Sequence, residues 1–111
     1  MAYPVQSSEQ RQSQRVDADL PVEISIGSQL VLQGKLKDVS LRSAFIILKG
    51  SVYFQMNDEV GFTIQCVPGN ESKVIHGQAR ISRIAPGEGI VIYFTRMDDG
   101  STTRLKKLAG A

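Results

Sequence analysis

The chain has 111 residues, 41% of them hydrophobic, with 13 basic and 11 acidic side chains and a net charge of +2. That length supports one hydrophobic core and not two, and the near balance of charge excludes the broad basic surface of a general nucleic-acid binder, so any anion site must be local. The longest apolar run, Ala44 to Leu48, is far too short to cross a bilayer, and a single cysteine (Cys66) with a single histidine (His76) excludes an intrachain disulfide and any Cys/His zinc constellation.

Residues 1 to 18 are polar, rich in Ser and Gln, and show no helical or strand period, so they read as a flexible arm ahead of one domain, 19–111. The opening stretch has neither an apolar h-region nor a cleavage-site pattern, which makes the cytoplasm the expected location. Alternation begins at Asp19: Val22, Ile24 and Ile26 share one face of a half-buried strand that Gly27-Ser28 ends. Leu30, Leu32 and Leu36 continue in step, with Lys35 and Lys37 opposite, predicting the second strand of a hairpin that runs to Val39. After Ser40-Leu41-Arg42-Ser43, the run Ala44 to Leu48 predicts a buried strand, since it is too short for a stable helix.

Val60, Phe62, Ile64 and Cys66 alternate in the next strand, 59–67, where Cys66 reads as a small buried hydrophobe, and Pro68-Gly69-Asn70 is a turn signal. Strands over 73–84 and 88–94 flank the Ala85-Pro86-Gly87 turn. Six strands at this spacing suit an antiparallel barrel or a sandwich. Asp98-Asp99-Gly100 then precede Ser101 to Leu108, with acids first, bases last and Leu105 and Leu108 on one edge, which predicts a short C-terminal helix docking on the sheet.

Two clusters carry the candidate chemistry. Arg11 and Arg15 form Arg-x-x-x-Arg at the inner end of the arm, and Asp38 and Ser40 close the second strand in Asp-Val-Ser-Leu-Arg-Ser. A guanidinium is planar, permanently charged and forked, able to grip a phosphate, pair with the O6/N7 edge of guanine or lie on a base. The Asp38 carboxylate only accepts hydrogen bonds and so suits the adjacent N1–H and N2–H donors of guanine better than adenine. Together they predict a site for a small anionic purine nucleotide. Separately, each has a plainer reading, as solubilising charge and as an ordinary turn element; their order and their placement at strand ends set them apart.

The succession of arginine arm, hairpin, Asp-x-Ser, apolar strand, three further strands and helix resembles the PilZ domain family, bacterial receptors for cyclic di-GMP, over nearly the whole chain. The resemblance implies an all-β, six-stranded antiparallel Greek-key split barrel with a short C-terminal helix, whose arm folds over one mouth when ligand binds. It further implies that Arg11 and Arg15 contact guanine and phosphate while Asp38 and Ser40 contact the other purine. Arg42 is an extra cation in the same loop, and its proximity in sequence makes it a candidate phosphate contact. Ser43 departs from the family's (Asp/Asn)-x-Ser-x-x-Gly pattern; were positive φ needed there, serine would add roughly 1 kcal/mol of strain and weaken binding. Gln10, ahead of the first arginine, leaves open one dinucleotide or an intercalated pair.

The leading reading is a non-catalytic cyclic di-GMP receptor that signals to an unidentified downstream protein, with no cofactor or metal and as a monomer or weak dimer. The alternative is a degenerate barrel that binds no nucleotide and serves as a protein-interaction module, which Ser43 favours. With no Trp, three Tyr and four Phe there is no evident aromatic platform for a nucleic-acid polymer. No nucleophile, acid/base pair or metal constellation points to an enzyme; His76 reads as a rim residue, and Arg80, Arg83 and Arg96 as solvated strand-face charge.

Overall fold

Alternation dominates the first two strands and seats the rest. In β1 (Val16–Ile26) the side chains of Val22 and Ile24 are fully buried, and Leu20 and Ile26 pack against the same core. The structure, a computed structural model, describes residues 15–28, 30–49, 54–67, 69–70 and 72–109. Arg11 and residues 1–14 of the arm, with Tyr53, Pro68 and Gly110, lie outside the described residues. β1 starts at Val16, ahead of the expected Asp19, with Val16 and Asp17 paired to Val39 and Asp38 before an irregularity between Asp17 and Leu20. The alternation in fact begins at Val16, with Ala18 and Leu20 in the phase of Val22 and Ile24 and with Asp17 and Asp19 exposed between them, so the first residues of the strand are legible and the expected start lies too late.

β2 (Leu30–Val39) pairs with β1 as the expected hairpin and with β3 (Ser43–Ile47) on its other edge. Between Leu36 and Asp38 the register against β3 slips by one residue. Leu36 and Val39, an odd number of positions apart, are therefore both fully buried, and Asp38 is carried off the inward phase that Leu36 would otherwise set for it. β3 is not buried on both faces as its apolar run predicts. Ala44 and Ile46 face the core, while Ile47 is 45% exposed.

β4 (Glu59–Gln65) buries Val60, Phe62 and Ile64 and ends before Cys66, which is only partly buried against the core. β5 (Val74–Ala85) and β6 (Gly89–Met97) meet through a turn at Pro86-Gly87-Glu88, where Gly87 adopts φ +79° at no steric cost. All pairings are antiparallel, and the strand order β1-β2-β3-β6-β5-β4 closes when β4 pairs back to β1. The result is a closed six-stranded Greek-key barrel filled by Ile24, Leu36, Ile46, Ile64, Ile75, Ile81, Ile90 and Ile92, all fully buried. Branched aliphatic side chains suit the pleated, tapering interior of a small barrel.

One helix, α1 (Asp99–Leu108), follows β6 and buries Leu105 in the same core, as the spacing of Leu105 and Leu108 predicts. Asp98 caps it, accepting from the Ser101 amide at 2.7 Å. The antiparallel pairings bring the starts of β1, β3 and β5 and the ends of β2, β4 and β6 to one barrel end, which α1 also borders. No helix among the described residues is long and apolar enough to cross a membrane.

Candidate functional site

Arg15 stands immediately before β1, Asp38 next to last in β2, and Ser43 first in β3, so the antiparallel ladder brings Arg15 to the same barrel end as two residues distant from it in sequence. The Arg15 guanidinium sits 2.7 Å from Asp38 Oδ1 through Nε and donates from Nη1 to Ser43 Oγ at 2.8 Å. Nε lies close to Oδ1 but not along the axis of a hydrogen bond, so among the described residues that buried oxygen has charge compensation without an aligned donor. A ligand that draws Arg15 away would uncover this acceptor and could then supply an N–H in line with it.

Ser40 works from beneath. Its side chain is 1% exposed, and its hydroxyl accepts from the backbone amides of Arg42 and Ser43, both at 3.2 Å. The same hydroxyl lies 3.3 Å from the Ser43 carbonyl as a donor, and the Ser40 amide reaches that carbonyl at 2.8 Å. The tight loop 40–43 is thus closed around one buried serine, as hydroxyl side chains close short turns. A further bond from the Phe94 amide to the Arg42 carbonyl, 2.9 Å, ties the loop to β6. Buried and fully engaged, Ser40 shapes the loop that places Asp38 and Ser43 on either side of Arg15. Arg42 itself is exposed, and the bonds it makes here are through its backbone.

Ser43 is strand backbone with no positive φ; Asn57 is the one non-glycine residue in that region among those described. The strain considered for a serine at this position is therefore absent, and its hydroxyl instead provides a partner for Arg15 that a glycine lacks. Arg15, Asp38, Ser40 and Ser43 come together, Arg42 borders them, and Arg11 lies outside the described residues.

Two neighbours are not placed in this site by the sequence reading, which takes Arg80 as solvated strand-face charge. Tyr93 is the direct cross-strand partner of Ser43, and Arg80 is the partner of Tyr93 on the far side, with its guanidinium 5.1 Å from the ring centroid. Cross-strand partners share a face, so Ser43, Tyr93 and Arg80 form a row leading away from Arg15. The alternation of β6 already assigned Tyr93 to the face opposite Ile92, but only the β3–β6 and β5–β6 registers show what stands beside it.

Elsewhere, the described residues include no group of three His, Cys, Asp or Glu placed to hold a metal ion. His76 Nε2 lies 3.4 Å from Asp98 Oδ2, and Ser101 Oγ accepts from the His76 backbone amide at 3.0 Å. The serine faces the main chain and not the imidazole, so this trio latches α1 to β5 and is not arranged for nucleophilic catalysis. Ser101, through its hydroxyl and then its amide, holds the Asp98 carboxyl below the usual aspartate range, with the charges of His76 and Arg104 adding to the effect.

A family model described as PilZ domain matches residues 9–110. Among solved structures, the chain is similar to the Bacillus subtilis inhibitor of motility MotI/DgrA, with a TM-score of 0.71 and 19% identity over 87% of this chain and 47% of that one. It is likewise similar to the PilZ domain of CeSA from a cellulose-synthesizing bacterium (TM-score 0.64, 22% identity, 88% of this chain and 97% of that one). The PilZ domain of YcgR from Escherichia coli, solved with c-di-GMP, gives a TM-score of 0.66 at 15% identity over 90% and 88% of the two chains. The chain thus spans about half the length of the Bacillus subtilis protein. At these identities the likeness is one of fold. No curated protein matches by sequence.

Proposed function

The chain belongs to the PilZ domain family, and on that premise we propose that it is a non-catalytic receptor for cyclic di-GMP whose arm orders over the barrel mouth on binding and whose altered surface is read by a protein partner. The observation that carries this reading is the junction of Arg15, Asp38 and Ser43. It sets a forked cation beside a carboxylate whose buried oxygen lacks an aligned donor among the described residues. Guanine offers that carboxylate N1–H and N2–H, and a phosphate offers the guanidinium the charge it now takes from Asp38. Arg11, four residues upstream in the arm, brings a second guanidinium for the same anion, and Arg42 a third from the loop.

The YcgR domain supports the ligand assignment, since that relative of like fold was solved with c-di-GMP. The Tyr93 ring beside Ser43 offers a face for a purine at the edge of the site. A polar arm with little apolar surface has no core to join, so charge partners on a bound dinucleotide provide the free energy to order it.

One observation favours a second reading, a barrel that has lost the nucleotide and keeps only a protein-interaction role. Both Arg15 contacts are made within the chain, and Ser43, where the family pattern has glycine, makes one of them. Calorimetric titration of the whole chain with cyclic di-GMP, against GTP and cyclic di-AMP, decides between them. Saturable binding of cyclic di-GMP alone supports the receptor, and no heat with any of the three supports the degenerate barrel.

A further inference from the structure

α1 is pinned to β5 along one side only. Arg104 Nη1 donates to the Val74 carbonyl at 2.8 Å, Ser101 Oγ accepts from the His76 amide, and Leu105 enters the core. The adjoining side of the helix, which shares Arg104 with that contact, faces the β4–β5 hairpin, held by the bond from the Cys66 amide to the Lys73 carbonyl. Between helix and hairpin runs a cleft of about 580 Å³, within the range of specific binding sites. Cys66, Val67 and Leu108 supply its apolar lining, and Lys73, Arg104 and Lys107 its charge.

Two features of this cleft are not explained by packing. No acidic side chain is among the described residues that line it, and neither Arg104 nor Lys107 has a described carboxylate within 4.0 Å. Val67 is 48% exposed at its edge, an apolar side chain beside three cations. A bare phosphate would satisfy the charge and leave the apolar lining wet. A flat anionic lipid surface would meet the raised walls and not the concave floor. An acidic peptide strand bearing an aliphatic side chain satisfies both, with carboxylates on the cations and the aliphatic group against Val67 and Leu108.

We propose that the cleft between α1 and the β4–β5 hairpin is the docking surface for an acidic, leucine-bearing peptide segment of a partner protein. It lies at the barrel end that also carries the Arg15–Asp38 junction, which puts partner and nucleotide on a common rim. The inference gives the receptor reading its output surface. Its test runs without nucleotide, so silence toward cyclic di-GMP would remove that reading and leave this one standing.

The probe is a fluorescein-labelled peptide alternating Glu and Leu, followed by anisotropy against the full chain at low salt, with a Gln-for-Glu peptide and anionic phosphatidylglycerol vesicles as comparisons. The acidic peptide is expected to bind, to weaken at least about tenfold with Lys107→Glu, and to change little with Lys106→Glu, a helix neighbour outside the cleft. Bound peptide is also expected to slow alkylation of Cys66. Equal loss with Lys106→Glu, equal binding of the neutral peptide, an unprotected Cys66, or binding of vesicles in place of peptide would each overturn the proposal. Retained thermal stability and unchanged cyclic di-GMP titration in Lys107→Glu show that the variant is folded and its other site intact.

Discussion

Arg15 and Ser43 stand 28 positions apart in the chain, yet the Arg15 guanidinium donates to the Ser43 hydroxyl across 2.8 Å. The contact exists because β2 returns antiparallel to β1 and β3 antiparallel to β2, bringing the start of the first strand and the start of the third to one rim. It competes with any ligand that needs the same guanidinium.

Ser43→Ala and Ser43→Gly both remove that competitor, and both are expected to tighten cyclic di-GMP binding several-fold in calorimetric titration. They differ in stability. Because Ser43 is extended strand with no positive φ, glycine relieves no strain there and costs roughly 0.5–1 kcal/mol through backbone entropy, while alanine spares most of that cost. Thermal melts of the two variants separate the effects; a rise in Tm with glycine would contradict this account of the backbone.

Asp38→Ala is expected to lower cyclic di-GMP affinity at least about tenfold, about 1.4 kcal/mol, and to narrow the preference over cyclic di-AMP. Arg15→Ala is expected to abolish saturable binding. Since Arg15 is 35% exposed, their ion pair contributes about 1 kcal/mol or less to folding, so both variants should melt close to the parent. Titration and melting on the same samples distinguish loss of ligand contacts from loss of fold.

Ser40→Ala should behave in the opposite way. Its buried hydroxyl accepts from two backbone amides, and removing it leaves both donors without that partner, at a cost of about 1–3 kcal/mol measured by urea denaturation. The loop it closes then no longer fixes Asp38 against Ser43, and nucleotide affinity falls as a consequence of that disorder.

Asp98 links the helix cap to pH. Its folded pKa lies below the unfolded value, chiefly through Ser101, so its contribution is present above the ordinary aspartate range and is lost as pH falls through the lowered pKa. Asp98→Asn is expected to lower Tm at neutral pH and to flatten the acid limb of the Tm-against-pH profile. An unchanged acid limb would mean that another carboxylate governs that limb.

The sequence by itself determined most of the barrel. Period-two alternation in β1, β2, β4 and β5 is a local consequence of burying one face, and the turn residues Gly27, Gly69 and Gly87 adopt the positive φ such connections require. The helix was equally legible, because its cap, its charge order and the Leu105–Leu108 edge lie within one short segment. The identities of Arg15, Asp38 and Ser40 as a set were visible in their order along the chain.

Tertiary structure decided what those residues face. Strict alternation from Leu36 would send Asp38 into the core; the slip of register against β3 turns it to the rim, and a register slip depends on two strands at once. The exposed face of β3, the row from Ser43 through Tyr93 to Arg80, and the tether between Ser43 and Arg15 are likewise properties of strand pairing. Side-chain periodicity is written into each strand alone, whereas register is settled between strands, and the site is built from register.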